Sequence, residues 1–363
     1  MTASWNNNGK EALIMALPNT FRKMMITKLS TNFREAVKIM TVPMIEPAEN
    51  EVVMRTRYVG INASEINASA GRYANTGKPP FGAGMESVGE IVSVGSGVKN
   101  LQVGQAIASM TWGAFSEYTA VPAKMAIPLP AAKPDFVTLM VSGMTADLSL
   151  AELGDLKKGE NVLITAAAGG TGQFAVQLAK LAGCHVIGTC STDSKVEFLK
   201  KIGCDRPVNY KKENLKDVLR SEYPEGIDVV YETIGGEMFS TCLKALANKG
   251  RIIVIGFIES YQKEGALAPK NEASWSGIVL QKSASIRGFL LFHFADLWKR
   301  SLTNLTQLLM GGQLKVSYDQ GKHDPKGPFT GLEAVYDAVD YLYTKKSEGK
   351  IVVEINPEEK PKL

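Results

Sequence analysis

From about Gly159 onward the apolar positions fall in short unbroken runs separated by amphipathic stretches. The runs are NVLITA (161–166), HVIGTC (185–190), PVNY (207–210), IDVVYE (227–232) and RIIVIGF (251–257). Between them lie GTGQFAVQLAKLAG (170–183), DSKVEFLKKIG (193–203), ENLKDVLRSEY (213–223) and a stretch over Glu237–Ala247, each with a helical pattern. Apolar runs without alternation are what a parallel sheet covered on both faces requires. The pattern predicts a doubly wound α/β unit.

Residues 21–145 read differently. Short β-type runs such as EVVMRTRY (51–58), VGEIVSV (88–94) and SEYTAV (116–121) are broken by glycine and proline, which predicts an antiparallel, barrel-like unit. After a strand-like segment at Ser283–Leu290 come a helix over Asp296–Met310, a second over Leu332–Lys345 and a last strand, IVVEI (351–355). These terminal elements are expected to return to the first unit, since chain ends commonly lie close together. The division that follows is 1–146, 147–290 and 291–363.

Composition narrows the function. The chain of 363 residues carries a net charge of +4 and no basic run interleaved with aromatics, which argues against nucleic acid as a partner. No apolar run approaches the roughly 20 residues that cross a bilayer, so no membrane span is expected. The apolar patch Ala12–Pro18 is short for a secretory signal and is preceded by Glu11. Cys184, Cys190, Cys204 and Cys242 form no C-x-x-C pair and suit reduced thiols in an intracellular enzyme. Cys184 and His185 are adjacent, so on a strand they face opposite sides and make a poor ligand pair.

The first strand-to-helix turn of the α/β unit reads Ala166-x-x-Gly169-Gly170-Thr171-Gly172. In such a fold this turn takes a dinucleotide pyrophosphate: glycines admit the backbone, and free N–H groups at the helix start face the anion. NAD sites usually place an acid about 20 residues on, at the tip of the second strand. Here that tip is Gly188-Thr189-Cys190-Ser191, with Lys195 one helical turn further. A hydroxyl and an ammonium suit a 2′-phosphate, which favours NADPH. Asp193 is the counter-evidence, although Asp at that point also fits a helix N-cap.

The chain resembles the medium-chain dehydrogenase/reductase superfamily over nearly its whole length. The stretches that carry the likeness are NASEINASAGRY (62–73), PPFGAGMESVGEIVSVGSGV (79–98), WGAFSEYTAVPA (112–123), SGMTADLSL (142–150) and AAAGGTGQFAVQLAK (166–180). Within the superfamily it is most similar to the prostaglandin reductase 3 group, through CHVIGTCSTD, GCDRPVNYK, EYPEGIDVVYETIGG and KGRIIVIGFI. The resemblance implies a GroES-like β-rich catalytic domain, a Rossmann domain and NADPH in the cleft between them. It places Gly169, Gly170, Thr171 and Gly172 at the pyrophosphate, Ser191 and Lys195 at the 2′-phosphate, and Tyr210 against the adenosine. Thr233, Ile255, Tyr261 and Phe289 would line the nicotinamide side. Tyr210 also reads as a surface tyrosine and Ile255 as core.

Zinc is where the sequence departs from the alcohol dehydrogenases. Their Gly-His-Glu stretch is here Gly84-Met85-Glu86, and the NASEIN stretch lacks their cysteine. A thioether is a poor zinc ligand, so no metal is expected. Without a Lewis acid an α,β-unsaturated ketone is an easier hydride acceptor than a plain carbonyl, because charge collects on an enolate oxygen that hydrogen-bond donors can stabilise. The candidate donors are the ribose 2′-hydroxyl of the cofactor and the hydroxyl of Tyr261, although Tyr261 also reads as a loop tyrosine packed on the surface. Asn62 and Tyr73 belong to the same pocket by resemblance, and Glu65 could be structural.

The segment 261–278 reads as a long irregular connection, a possible flap over an elongated lipid-like enone such as a 15-oxoprostaglandin. A quinone reductase on the same scaffold and a non-catalytic NADPH-binding protein are the alternatives. The end Pro361-Lys362-Leu363 resembles a peroxisomal tripeptide with proline in place of serine, against the cytoplasm as alternative. Edge pairing at Ser283–Leu290 would make a homodimer.

Overall fold

A computed structural model describes residues 17–73, 77–263 and 272–357. Residues 12–16 of the N-terminal apolar patch, residues 264–271 of the segment read as a flap, and Pro361-Lys362-Leu363 lie outside the described residues.

The antiparallel part is organised by the ten-residue strand Glu51–Gly60. It pairs with Ser87–Val94, with Tyr118–Pro122 and, near its own end, with Lys350–Glu354. Its register against Ser87–Val94 shifts between Val53 and Met54 and again between Thr56 and Tyr58. Such irregularities bend a strand and increase its twist, which suits a half-barrel. The last strand therefore does return to the first unit. A separate three-stranded sheet joins Val37–Pro43, Thr20–Ile26 and Phe81–Gly82.

The parallel sheet has six strands in the spatial order Arg206–Asn209, His185–Cys190, Asn161–Ile164, Ile227–Glu232, Leu246–Val254, Ser285–Gly288. Counted along the chain, this is the doubly wound order 3-2-1-4-5-6. Val162, Leu163 and Ile164 are fully buried, as an unbroken apolar run between two helical layers demands. The strand order switches sides at Asn161–Ile164, between it and Ile227–Glu232, so a crevice opens at the carboxyl ends of these central strands.

Two local readings are corrected. The first is the apolar-run reading. Pro134–Gly154 is a continuous helical segment of 21 residues with mean hydropathy 1.3, long and apolar enough by that measure to span a bilayer, but mostly buried. It is a core helix that links the two sheets, and position 146 falls inside it. Its α turns alternate with π turns at Leu139–Met144 and Leu150–Gly154, which spoil the 3.6-residue apolar pattern. Gly143 lies where a Cβ would meet Leu305 Cδ1 at 3.1 Å, so it admits the helix Trp298–Met310. The second correction concerns the connection read as irregular: Glu272–Lys282 is a helix.

Candidate active site

A cavity of about 730 Å³ fills the crevice, and the residues read from the sequence as catalytic or cofactor-binding line it: Asn62, Tyr73, Gly169, Gly170, Thr171, Gly172, Ser191, Lys195, Tyr210, Thr233, Ile255, Tyr261 and Phe289.

The glycine turn is built from the backbone. Gly169 N–H donates to Ala166 O (2.9 Å), and Ala166 sits at φ +47°, the left-handed conformation normally left to glycine. Alanine holds it because Ala166 N–H is fixed on Thr189 Oγ1 (3.1 Å) and Ala167 N–H on Thr189 O (2.9 Å). Gly172 opens the helix Gly172–Leu181, and a Cβ there would lie 2.5 Å from Ala166 O. At Gly170 a Cβ would stand 3.0 Å from Ser142 Oγ and 3.2 Å from Lys350 Cδ. Side chains at these two glycines would collide, and the turn Gly169-Gly170-Thr171-Gly172 lines the cavity, while the N–H groups of Gln173 and Phe174 are already bonded to Gly169 O (3.2 Å) and Thr171 O (3.1 Å).

At the next strand tip, Ser191 Oγ and Lys195 Nζ both donate to Lys345 O, at 3.4 and 3.0 Å. Lys195 is buried, and desolvation lowers its pKa. The helix N-cap is Thr192, whose Oγ1 accepts from Lys195 N–H, rather than Asp193. Asp193 is instead bound by Asn209 Nδ2 (2.9 Å) and Lys212 Nζ (2.5 Å), so its carboxylate is committed elsewhere. Tyr210 is 37% exposed at the rim.

At the other end Thr233 is fixed on Thr165, its N–H donating to Thr165 Oγ1 (2.9 Å), and Ile255 N–H donates to Glu232 O (2.8 Å). Phe289 stacks on Phe294 with centroids 4.7 Å apart. Tyr261 follows the short turn Ile258–Ser260 and is buried, its ring edge-on to Phe257. Phe257 N–H donates to Tyr261 Oη (3.3 Å), which leaves the hydroxyl its own proton to give. Arg72 bridges to this loop from the other domain, donating to Tyr261 O and Lys263 O, both at 2.8 Å. Burial raises the pKa of Tyr261 and pushes Tyr73 up to about 12, so both stay hydrogen-bond donors at neutral pH. Tyr73, Trp112 and Phe292 form an aromatic wall with successive centroids 6.2 and 6.0 Å apart.

Sequence reading missed the charged centre of the cleft. Lys350 Nζ and Glu86 Oε1 form an ion pair at 2.6 Å, with side chains 2% and 0% exposed. Asn62 bridges it, accepting from Lys350 Nζ at Oδ1 (2.6 Å) and donating from Nδ2 to Glu86 Oε1 (2.9 Å). Val141 N–H, in the π-helical stretch, donates to Glu86 Oε2 (2.7 Å). Glu65, fully buried nearby, has its carboxyl pushed up to about 8 by desolvation and by Glu86. The available signal was a lysine at the head of the apolar run IVVEI, a poor place for a solvated charge.

These residues do not fit zinc. Met85 offers a thioether, Glu86 is engaged by Lys350, Asn62 and Val141, and among the described residues no group of three or more His, Cys, Asp or Glu could hold a metal ion. They do fit a dinucleotide: a phosphate turn at the first helix start, a cationic corner at the second strand tip and an apolar end at the fourth and fifth strands. Fold and site together define a two-domain, nicotinamide-dependent oxidoreductase.

Comparisons with known proteins place it more closely. Residues 48–131 match the alcohol dehydrogenase GroES-like domain and residues 170–307 the zinc-binding dehydrogenase family. The chain is 53% identical over 342 residues to prostaglandin reductase-3 of Mus musculus, covering 94% of this chain and 91% of that one. It is 42% identical over 346 residues to a probable quinone oxidoreductase of Leishmania amazonensis, covering 94% and 100%. The solved Escherichia coli quinone oxidoreductase, complexed with NADPH, superposes with TM-score 0.78 at 26% identity, covering 92% and 99%. The chain belongs to the medium-chain dehydrogenase/reductase superfamily and, within it, to the family of prostaglandin reductase-3.

Proposed function

We propose that this protein is an NADPH-dependent reductase of the carbon–carbon double bond of α,β-unsaturated ketones, with 15-oxoprostaglandin-type lipids as substrates. The observation that carries the reading is a cleft with a built nucleotide turn, hydroxyl and ammonium donors and, among the described residues, no donor set for a metal. Relatives named prostaglandin reductase-3, from mouse and cattle, support the substrate class.

Bound NADPH would supply the hydride. The chain's own work is placement and charge. Gly169, Gly170, Thr171 and Gly172 would receive the pyrophosphate, and Ser191 and Lys195 the 2′-phosphate. Thr233, Ile255 and Phe289 would hold the nicotinamide end against the aromatic wall of Tyr73, Trp112 and Phe292. Tyr261 offers its hydroxyl proton toward the enone oxygen, and Arg72 holds that loop across the cleft. Such placement converts a bimolecular encounter into an oriented one.

The test is NADPH oxidation with a 15-oxoprostaglandin and a bulky quinone in parallel, repeated with NADH and with chelator. Faster turnover of the prostaglandin, with product saturated at the former double bond, is expected. Quinone turnover alone would favour the second reading, a quinone reductase, which the relative from Leishmania amazonensis and the quinone oxidoreductase structures support. NADPH binding without turnover of either would leave a non-catalytic nucleotide-binding protein.

Two further parts of the reading concern assembly and address. A homodimer would form through the edge strand Ser285–Gly288, where Ile286 is 41% exposed, and sedimentation tests it. A peroxisomal address would rest on Pro361-Lys362-Leu363, and residues appended after Leu363 should then leave the protein in the cytoplasm.

A further inference from the structure

Asn67 is a buried amide on the helix Ser64–Ser69, behind the part of the cavity wall that Tyr73 and Tyr261 form. A buried amide persists where its polar groups are bonded. Arg72 bonds it twice: Arg72 N–H donates to Asn67 O (2.9 Å), and Arg72 Nη1 donates to Asn67 Oδ1 (3.0 Å). A guanidinium has only donors, so this contact fixes which end of the amide faces it. Oδ1 turns to Arg72 and Nδ2 turns away. The same guanidinium donates to Tyr261 O and Lys263 O, both at 2.8 Å. One cation thus holds an amide of the antiparallel domain and a loop of the nucleotide domain in a common frame.

The Tyr261 hydroxyl ends at the carboxyl edge of the parallel sheet. A Cβ built on Gly256 would lie 2.7 Å from Tyr261 Oη and 3.6 Å from Thr233 O, and Gly256, Thr233 and Tyr261 all line the cavity. This is the end of the cleft that a nicotinamide would occupy. Oη accepts from Phe257 N–H (3.3 Å), and the Asn67 side chain hydrogen-bonds both this hydroxyl and that of Tyr73. Burial raises the pKa of both phenols, and the bond from Asn67 works against that rise. With N–H groups facing it from Phe257 and Asn67, Oη finds no acceptor in either for its own proton. That proton is left to the cavity side.

We propose that Asn67 is a positioning residue of the enone reduction: turned by Arg72, its Nδ2 donates to Tyr261 Oη and thereby aims the phenolic proton at the enone oxygen. This rests on the enone reading. As the enone takes up hydride at its β-carbon, the π pair of the double bond moves toward the carbonyl and negative charge gathers on the carbonyl oxygen. Tyr261 hydrogen-bonds that oxygen, and the charge drawn onto Oη is met by Asn67 and Phe257. Water then protonates the α-carbon, leaving hydroxide and restoring the carbonyl. Donors fixed before the charge forms have no reorganisation to undergo, and each bond in such a chain strengthens the next.

Asn67→Asp separates this role from a merely structural one. The carboxylate keeps an acceptor for Arg72 at nearly the same volume but presents Oη with an acceptor in place of a donor. The phenolic proton should then turn away from the substrate. The expected result with a 15-oxoprostaglandin is a kcat lowered about 10²-fold, with KM and the Kd for NADPH little changed. In a Tyr261→Phe background the same substitution should cost little further, because both changes act on one hydrogen bond. A second measurement needs no turnover. The carbonyl stretch of the enone bound with NADP⁺, read by infrared spectroscopy with an isotope label on that carbonyl, should fall in frequency in the wild type. Asn67→Asp, Asn67→Ala and Tyr261→Phe should each lose that shift.

An unchanged kcat in Asn67→Asp overturns the proposal. So does an equal further loss in the Tyr261→Phe background, which would make Asn67 act elsewhere. A loss confined to KM or to NADPH affinity also overturns it, by leaving Asn67 only a structural part of the domain contact. A carbonyl shift absent from the wild type, or retained in Asn67→Ala, overturns it even where Asn67→Asp fails to fold. A wild-type protein that shows the shift but reduces no enone would instead sink the substrate reading alone.

Discussion

Replacing Lys195 by alanine should convert a strong preference for NADPH into a weak one. In the free protein Lys195 Nζ lies 3.0 Å from Lys345 O, and Ser191 Oγ lies 3.4 Å from the same carbonyl. The corner is therefore assembled before the nucleotide arrives, and the lysine is already largely desolvated. A 2′-phosphate that displaces the carbonyl exchanges a neutral acceptor for a dianionic one. A hydrogen bond to a charged group contributes about 1.5–3 kcal/mol net, and at 1.4 kcal/mol per tenfold this is about 10- to 150-fold in affinity. NADH lacks the phosphate, so its affinity should stay nearly constant. The assay is fluorescence titration of both nucleotides into wild-type and Lys195→Ala protein, followed by kcat/KM for each. Equal weakening of NADH and NADPH, or no weakening of NADPH, would refute the assignment of this corner to the 2′-phosphate.

Other expectations follow from neighbouring parts of the cleft. Tyr261→Phe should lower enone turnover while NADPH affinity stays nearly constant, because the lost atom is the hydroxyl donor and the ring packing on Phe257 remains; unchanged turnover would remove Tyr261 from the chemistry. Gly172→Ala should lower stability by about 1–3 kcal/mol through overpacking and weaken nucleotide binding, since the new Cβ would meet Ala166 O at 2.5 Å; denaturant melts and titration check both. Glu65 ionises near 8 in the fold against an ordinary 4.5, so between those values the folded chain holds a proton that the unfolded chain has released. Stability should therefore be fully supported below about pH 4.5 and fall as pH rises toward 8, by at most about 1.4 kcal/mol per pH unit. Glu65→Gln should flatten that slope in melts taken across the window. Chelator should leave activity intact, and elemental analysis should find no stoichiometric zinc; loss of activity on chelation would reopen the metal question.

The parts of the fold legible in the sequence are those whose burial is symmetrical. Val162-Leu163-Ile164 reads as a strand because both faces are covered, and the turn at Gly169 reads as a nucleotide site because of its place after that strand. The helix Pro134–Gly154 was not legible, because its π turns at Leu139–Met144 and Leu150–Gly154 shift the apolar face along the segment. Thr192 as N-cap lost to its neighbour in the reading because Thr192 and Asp193 carry similar capping chemistry, and only the bonds of Asp193 to Asn209 and Lys212 separate them. The ion pair of Glu86 with Lys350 was invisible for a different reason. Its members are far apart in the chain, and their pairing exists only once Lys350–Glu354 docks on Glu51–Gly60.

That docking also sets a timetable for synthesis. A ribosome making this chain completes the nucleotide turn at Gly172 long before it reaches Lys350, so at that point the strand that closes the antiparallel sheet and delivers the ammonium has not yet been made. The nascent protein holds the acid of its central pair without the base, so Glu86 has no reason to leave water until nearly all of the chain has emerged. Competence should consequently appear as a late, single event in translation, and a chain shortened before residue 350 should be a target for quality control rather than a weakened enzyme.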